Sequence, residues 1–217
     1  MELPTATVEW APGREISVWM AGDRGEEFAM LLAHGAGSDA LHPLTVGLRD
    51  ELVKAGVWCV TFNYPYKEEG RRWPDSPERL LACHQAVLDW AVEQTGEMPV
   101  LAGRSMGGRI SSYLAAEGAP VKALVLYAYP LHPPGRHDRL RSDHLGSISV
   151  PMLFFRGSRD VFSRSDLFDR EVRNLETTTV VDLEGLDHLF RGRVRMAEIV
   201  NRSIAETTLA WLRSLPG

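Results

Sequence analysis

Apolar and polar positions along the chain follow patterns typical of strands and helices in turn. The run "REISVWM" (14–20) has the period of two of a half-buried strand. "EFAMLLAHG" (27–35) and "VWCVTFNYP" (57–65) are continuous apolar runs, as expected of buried strands. Between them, "LHPLTVGLRDELVKAG" (41–56) has helical periodicity and ends at Gly56.

The rest of the chain repeats this alternation. "SPERLLACHQAVLDWAVEQTG" predicts a long helix with Ser76 as N-cap, Pro77 in the first turn and Gly96 at its end. Further strands are predicted in "PVLAGR" (99–104), "VKALVLYAYP" (121–130), "VPMLFFRGSRD" (150–160) and "TTTVVDLEGLDHLF" (177–190), with helices in "GRISSYLAAEG" (108–118) and over roughly 194–212. The alternation predicts an α/β fold, with helices packed on a largely parallel sheet.

Nothing in the pattern marks a domain boundary. No repeat, low-complexity tract or change of composition divides the chain, so residues 1–217 are expected to form a single domain. Two connections, 64–77 and 129–149, are long enough to be functional loops.

Composition narrows the range of partners. The net charge of −5 argues against a nucleic-acid or anionic-membrane surface. Cys59 and Cys83 have no metal-ligand spacing and are expected to be free, buried thiols. The first ten residues have no signal-peptide character, and no apolar run approaches the ~20 residues of a membrane span. We therefore expect a cytoplasmic protein with no nucleic-acid or membrane partner.

One serine lies between glycines where a predicted strand becomes a helix. Residues Gly103 to Gly107 read G-x-S-x-G, with Ser105 at the centre. A tight strand-to-helix turn strains the central residue and lifts its side chain clear of the sheet, and glycines on both sides allow the close approach. The amide of Met106, at the start of the helix, is then directed at the same space and is a candidate oxyanion donor.

A serine nucleophile needs a base and a group that orients the base. Among the seven histidines, His188 lies between the last strand and the final helix, at the correct edge of the sheet. Asp160 follows the preceding strand, so Ser105, Asp160 and His188 come in the Ser…Asp…His chain order expected with a G-x-S-x-G turn between strand and helix. The rival acids are Asp166, Asp182 and Asp187. The remaining histidines are His34 and His42, His84 within a helix, and His132, His137 and His144 in a loop where no element fixes them.

The second oxyanion donor is expected in the loop after "LLAHGAG". Gly35 and Gly37 flank Ala36, so the Ala36 amide can approach a carbonyl without obstruction from a large side chain. A glycine turn that only redirects the chain is the alternative. On the first interpretation, His34 organises this loop by hydrogen bonds to the backbone.

Arginine is abundant, with 21 residues against three lysines. One hypothesis is that one or two arginines on segments near the site clamp an anionic group on the substrate, because a guanidinium matches a carboxylate in a fork. Arg71 and Arg72 are the first candidates, and the others are Arg104, Arg109, Arg156, Arg159 and Arg191. The alternative is that codon usage favours arginine and that these side chains pair with nearby acids. Arg104 and Arg109 flank the serine and are expected to lock its turn, with Asp75 as one partner.

Taken together, "LLAHGAG", "GRSMGGR", "RGSRD" and "GLDHLF" resemble the alpha/beta-hydrolase superfamily in order and spacing. "AHGAGSD" and "FNYPY…GRRWPD" look more narrowly like a small subgroup related to dienelactone hydrolases and to hydrolase-like proteins of a chromatin-modifying complex. The resemblance implies a mostly parallel sheet with helices on both faces and a Ser-His-Asp triad. It implies Ser105 as nucleophile, His188 as base, Asp160 as orienter, and Ala36 and Met106 as oxyanion amides, with no metal and no cofactor.

Many such hydrolases carry a helical lid where this chain has only a loop after "VKALVLYAYP". A lidless site favours small or exposed acyl groups. The expected function is a carboxylic-ester hydrolase that forms an acyl-enzyme on a small-molecule ester or thioester. A thioesterase or peptidase with the same residues, and a hydrolase-like interaction module with little turnover, are the alternatives. The sequence does not indicate an oligomeric state.

Overall fold

Eight strands form one sheet in the computed structural model, which describes residues 2–192 and 197–216. The strands are β1 (Ala6–Ala11), β2 (Arg14–Ala21), β3 (Phe28–Ala33), β4 (Val57–Phe62), β5 (Val100–Arg104), β6 (Leu124–Tyr127), β7 (Met152–Gly157) and β8 (Thr178–Leu183). Their order across the sheet is β1-β2-β4-β3-β5-β6-β7-β8. The pairs β1–β2 and β2–β4 are antiparallel and all other neighbours are parallel. The predicted largely parallel sheet is confirmed.

Helices cover both faces of the sheet. They are α1 (Pro43–Lys54), α2 (Pro65–Glu68), α3 (Pro77–Thr95), α4 (Met106–Ala116), α5 (Ser165–Phe168) and α6 (Ala197–Ser214), with a 3-10 turn at Leu145–Ser147 and a π-helical turn at Asp169–Arg173. Helices α1 and α6 enclose one apolar core, and α3 and α4 enclose the other. Strand β4 is buried throughout because its alternate side chains supply both cores.

Most helix ends follow their sequence signals. In α3, Pro77 occupies the first turn and Gly96 ends the helix at φ 73°, a left-handed conformation that favours glycine. Ser76 has the N-cap position, but its side chain makes no capping hydrogen bond. In α1 the N-cap is His42, whose ring accepts from the Leu44 amide. Within the described residues the final helix covers Ala197–Ser214, and its predicted start, Val194, lies outside them.

The connection after β6 bears on access to the carboxyl edge of the sheet. The connection from β6 to β7 contains a single 3-10 turn, so the predicted absence of a substantial lid is confirmed.

The antiparallel edge strand β1 is absent from the sequence prediction, because Val8 is its one buried residue and an edge strand shows little apolar pattern. Within the described ranges, none of the helices combines the length and apolarity needed to cross a bilayer.

Candidate active site

Ser105 occupies the turn between β5 and α4 in a strained backbone conformation. Its φ is 51° and its ψ is −112°, a backbone conformation that residues other than glycine rarely adopt. The turn is tight because α4 begins at the next residue, Met106. The strain places the hydroxyl at the carboxyl edge of the parallel strands, where ligands bind in open α/β sheets.

The flanking glycines are required by close backbone approach. A Cβ on Gly107 would lie 2.5 Å from the carbonyl oxygen of Ala33 in β3. A Cβ on Gly103 would overlap the main chain of Gly107 and Gly108. Strand β5 and helix α4 therefore meet at a distance that no other residue permits, and this fixes the direction of the Ser105 side chain.

The structure brings Ser105, His188 and Asp160 into one hydrogen-bonded line. His188 Nε2 lies 3.0 Å from Ser105 Oγ, and His188 Nδ1 lies 2.7 Å from Asp160 Oδ2. Asp160 follows β7 and its side chain is fully buried, whereas the His188 side chain retains 16% exposure. The base candidate thus remains accessible, and the carboxylate that would orient it is kept from water.

The three rival carboxylates are engaged elsewhere. Asp166 pairs with Arg164 on the surface, and Asp182 in β8 pairs with Arg156 and Arg173. Asp187 accepts from the Leu189 and Arg191 amides and so shapes the turn that carries His188. Asp160 is therefore the acid that the fold places against the His188 ring.

The other histidines also have defined partners. His84 in α3 is buried against Tyr64, whose hydroxyl lies 3.1 Å from His84 Nδ1. The expectation that no element fixes the loop histidines is wrong for two of them. His132 Nε2 accepts from the Arg164 amide at 3.1 Å, and His144 Nε2 lies 2.8 Å from Ser112 Oγ. Neither side chain reaches Ser105.

The peptide that carries the Ala36 amide is held from its opposite end. The Gly35 carbonyl accepts from His34 Nδ1 at 2.8 Å and from both the amide and the hydroxyl of Ser38 at 3.1 Å. Because C=O and N–H point in opposite directions across a trans peptide, these bonds direct the Ala36 N–H away from the loop interior. Met106 is the first residue of α4, so its amide has no acceptor within the helix.

His34 therefore organises the loop. Its Nδ1 donates to Gly35, and its Nε2 accepts from the Tyr64 amide at 3.3 Å. Burial lowers the pKa of His34 from 6.5 to about 4, which keeps the ring neutral at physiological pH and preserves this donor–acceptor arrangement.

Arg71 and Arg72 lie away from Ser105, and Arg71 pairs with nearby acids, as the alternative interpretation expected. Arg71 pairs with Glu69 and Asp75, and Arg72 lies over the ring of the exposed Trp73. Neither side chain borders the cavities beside Ser105, so the structure does not bring these two residues to the site.

The expected lock between Asp75 and the arginines that flank Ser105 is also wrong. Arg104 instead donates to the carbonyl of His188 and packs on Phe190. Asp75 is occupied by Arg71, by Arg79 and by the Tyr66 amide.

Two cavities meet at Ser105. The His188 cavity has a volume of about 390 Å³, and its walls include Ala36, His42, Leu44, Phe162, His188 and Leu189. The Arg109 cavity has a volume of about 280 Å³, and its walls include Pro74, Pro77, Leu80, Arg109, Pro130 and Arg141. Sequence reasoning did not assign Arg141 to the site, although it had singled out the loop 129–149. Across the described part of the chain, no group of three His, Cys, Asp or Glu side chains could hold a metal ion.

Comparison with known proteins identifies the family. A family model described as "Alpha/beta hydrolase domain" matches residues 26–213. The chain belongs to the alpha/beta hydrolase family. The resemblance to small lidless alpha/beta hydrolases, drawn from the sequence motifs, is thereby confirmed at the level of family and fold.

Several solved structures share this fold over nearly the whole chain. Est1E from Butyrivibrio proteoclasticus is 15% identical with a TM-score of 0.76, over 96% of this chain and 99% of that one. An a/b serine hydrolase without lid from Xanthomonas campestris is 20% identical with a TM-score of 0.75, over 100% of both chains. Dienelactone hydrolase from Anabaena variabilis is 18% identical with a TM-score of 0.76, over 94% and 95%. At these identities the likeness establishes the fold.

Proposed function

We propose that this protein is a serine hydrolase that cleaves carboxylic esters through an acyl-enzyme on Ser105. The observation that carries the proposal is the line from Ser105 Oγ through His188 to Asp160, with distances of 3.0 and 2.7 Å. A nucleophile, a base within hydrogen-bond reach and a buried carboxylate behind the base are the parts that acyl transfer requires.

Each residue of the site has a defined role in the proposed reaction. As Ser105 Oγ bonds to the ester carbon, its proton passes to His188 Nε2, and Asp160 stabilises the imidazolium through Nδ1. The Ala36 and Met106 amides hold the negative oxygen of the tetrahedral intermediate. His188 then donates the proton to the departing alcohol oxygen. Water repeats the sequence on the acyl-enzyme and releases the acid.

The two cavities suggest which end of the ester lies where. His188 borders one cavity and not the other, so the alcohol that receives its proton lies in the His188 cavity. The acyl chain then extends into the Arg109 cavity, which Met106 and Ser105 border. Among the residues that the structure describes, no helical lid covers either cavity, which supports a preference for small or exposed acyl groups.

Labelling with a fluorophosphonate probe tests the nucleophile directly. We expect the wild type to be labelled and to hydrolyse p-nitrophenyl acetate and butyrate, and Ser105→Ala and His188→Ala to lose both properties. Ser203→Ala serves as the matched control, because Ser203 is exposed on α6 and lines neither cavity. Labelling that persists in Ser105→Ala, or folded wild type that is neither labelled nor active, contradicts the proposal.

The reaction class can be determined by comparing ester, thioester and amide substrates that carry the same acyl group. The same residues could attack any of the three carbonyls, so the relative kcat/KM values decide among an esterase, a thioesterase and a peptidase. An interaction module would turn over none of them.

A further inference from the structure

The Arg109 cavity is lined by two guanidinium groups that lack acidic partners. Among residues 2–192 and 197–216, carboxylates pair with Arg71, Arg79 and many other arginines, but none lies within ion-pair distance of Arg109 or Arg141. Arginine beside a nucleophile with no carboxylate of its own is suited to hold an anion from outside the protein.

Arg109 also has a buried donor that no described residue satisfies. Its Nε is shielded from solvent and has no hydrogen-bond partner. Buried polar atoms in folded proteins nearly always have a partner, and the cost of leaving one unpaired is higher for a charged group. The Arg109 guanidinium therefore favours an acceptor in or beside the cavity that it lines.

Arg141 is held in place without being neutralised. Its Nη1 donates to the Pro130 carbonyl at 3.2 Å, its amide donates to Leu131 at 2.9 Å, and its carbonyl accepts from the Tyr129 hydroxyl at 2.7 Å. Burial and the neighbouring charge of Arg109 lower the pKa of Arg141. An anion between the two arginines would relieve this repulsion.

One carboxylate does border the cavity, and it is already compensated. Asp75 Oδ1 faces Arg71 and Arg79, and its Oδ2 accepts from the Tyr66 amide at 2.8 Å. Its side chain is 2% exposed, so it presents little free charge to the cavity. The net field at the Arg109 and Arg141 side is therefore positive.

We propose that Arg109 and Arg141 bind a carboxylate at the far end of the acyl group, so that the preferred substrates are monoesters of short dicarboxylic acids. The inference rests on the proposed function, in which the acyl chain occupies the Arg109 cavity. The bond from Ser105 Oγ to the acyl carbon forms as the ester C–O bond breaks, and the alcohol leaves with the proton from His188. Water then releases the dicarboxylate, which keeps its distal charge throughout.

Matched anionic and neutral esters test this specificity. Monoethyl glutarate and its neutral amide analogue, ethyl glutaramate, differ only at the distal group, and ethanol release measures both. We expect wild-type kcat/KM to be at least tenfold higher for the anionic ester. Arg141→Gln should reduce that ratio by on the order of tenfold to a hundredfold, the range of a charge-assisted hydrogen bond.

Arg139→Gln is the control for loss of one positive charge in the same loop, because Arg139 is exposed and does not line the cavity. We expect it to leave the ratio unchanged. Equal kcat/KM values for the two esters in the wild type overturn the proposal, as does a ratio that Arg141→Gln leaves unaltered.

Binding separates failure of this inference from failure of the proposed function. If Ser105 is not labelled and neither ester is hydrolysed, the esterase proposal fails. Calorimetry with glutarate on Ser105→Ala then tests the arginines alone. The anion site is supported if glutarate binds to Ser105→Ala and does not bind to the Ser105→Ala, Arg141→Gln double variant. If glutarate does not bind to Ser105→Ala, the proposal is overturned.

Discussion

The main-chain amide of Phe162 donates a hydrogen bond of 2.8 Å to Oδ1 of Asp160, and this leaves Oδ2 to face His188. The two carboxylate oxygens therefore have separate partners, one in the backbone and one in the imidazole ring. The arrangement fixes the rotation of the carboxylate, and through it the tautomer of His188, with the proton on Nδ1 and a free lone pair on Nε2.

Asp160→Asn should abolish most activity while leaving the fold in place. The Phe162 amide needs an acceptor, so the asparagine oxygen takes the Oδ1 position and its NH₂ group faces His188 Nδ1. The ring must then carry its proton on Nε2, where it cannot accept the Ser105 proton. We expect kcat to fall by a factor on the order of 10³–10⁴. Steady-state kinetics with a thermal melt check this, and a loss below tenfold would contradict the assigned role.

Arg104 should act as a positioning residue for His188. It is buried and donates at 3.1 Å to the His188 carbonyl, and burial lowers its pKa to about 10, so it stays charged at neutral pH. Arg104→Met keeps the apolar stem but removes the donor, and we expect kcat to fall at least tenfold and the free energy of unfolding to fall by about 2 kcal/mol.

Arg104→Lys separates positioning from packing. Lysine retains a charged donor, so it should restore part of kcat and of the fluorophosphonate labelling rate. If Arg104→Met loses stability but labels at the wild-type rate, the residue is structural and does not position His188.

Glycine at position 105 should stabilise the inactive protein relative to alanine. Ser105 has φ 51°, where a Cβ is unfavourable, and alanine keeps that strain. We expect Ser105→Gly to exceed Ser105→Ala by about 1 kcal/mol in the free energy of unfolding, measured in urea. At Ser203, within α6, we expect the glycine variant to be less stable than the alanine variant by about 1 kcal/mol in the free energy of unfolding. Equal signs at the two positions would contradict strain at Ser105.

Acid should weaken the fold through three histidines with lowered pKa values. Burial lowers the pKa of His34 and of the half-buried His144 to about 4, and that of His84 to about 3. Below about pH 6.5 the unfolded chain binds a proton on each ring that the folded chain does not, so stability falls as pH falls. The loss is at most about 2 kcal/mol per ring between pH 6.5 and pH 5, at 1.36 kcal/mol per pH unit.

Urea unfolding at pH 7 and pH 5 measures this loss. His84→Gln removes one of these three rings, so the difference in stability between the two pH values should shrink by about the contribution of one ring. A pH dependence identical to that of the wild type would show that His84 is not responsible.

Much of the architecture could be predicted from the sequence, because it depends on local sterics and on the burial of apolar runs. The strands β3, β4, β5 and β7 are continuous apolar runs because both of their faces are buried, and periodicity locates them directly. The turn at Ser105 could be predicted because only glycine at 103 and 107 permits the backbone contacts there. The chain order of Ser105, Asp160 and His188 followed from strand ends that share one edge of a parallel sheet.

The hydrogen-bond and ion-pair partners of polar side chains could not be predicted from the sequence in the same way. Asp160, Asp166 and Asp187 follow strands β7 and β8, and Asp182 lies within β8, so only the tertiary structure distinguishes the one within 2.7 Å of His188. A guanidinium on a long, rotatable stem can reach many acceptors, so Arg104 joined a carbonyl 84 residues away and the Asp75 assignment failed.

By itself, then, the sequence determined the α/β fold, the serine turn and the order of the residues proposed for catalysis, because these depend on backbone sterics and burial of apolar runs. Only the tertiary structure decided which acid meets His188, where the arginines point and which of them border the cavities. Those outcomes depend on distances between side chains from separate strands and loops, and no local pattern encodes them.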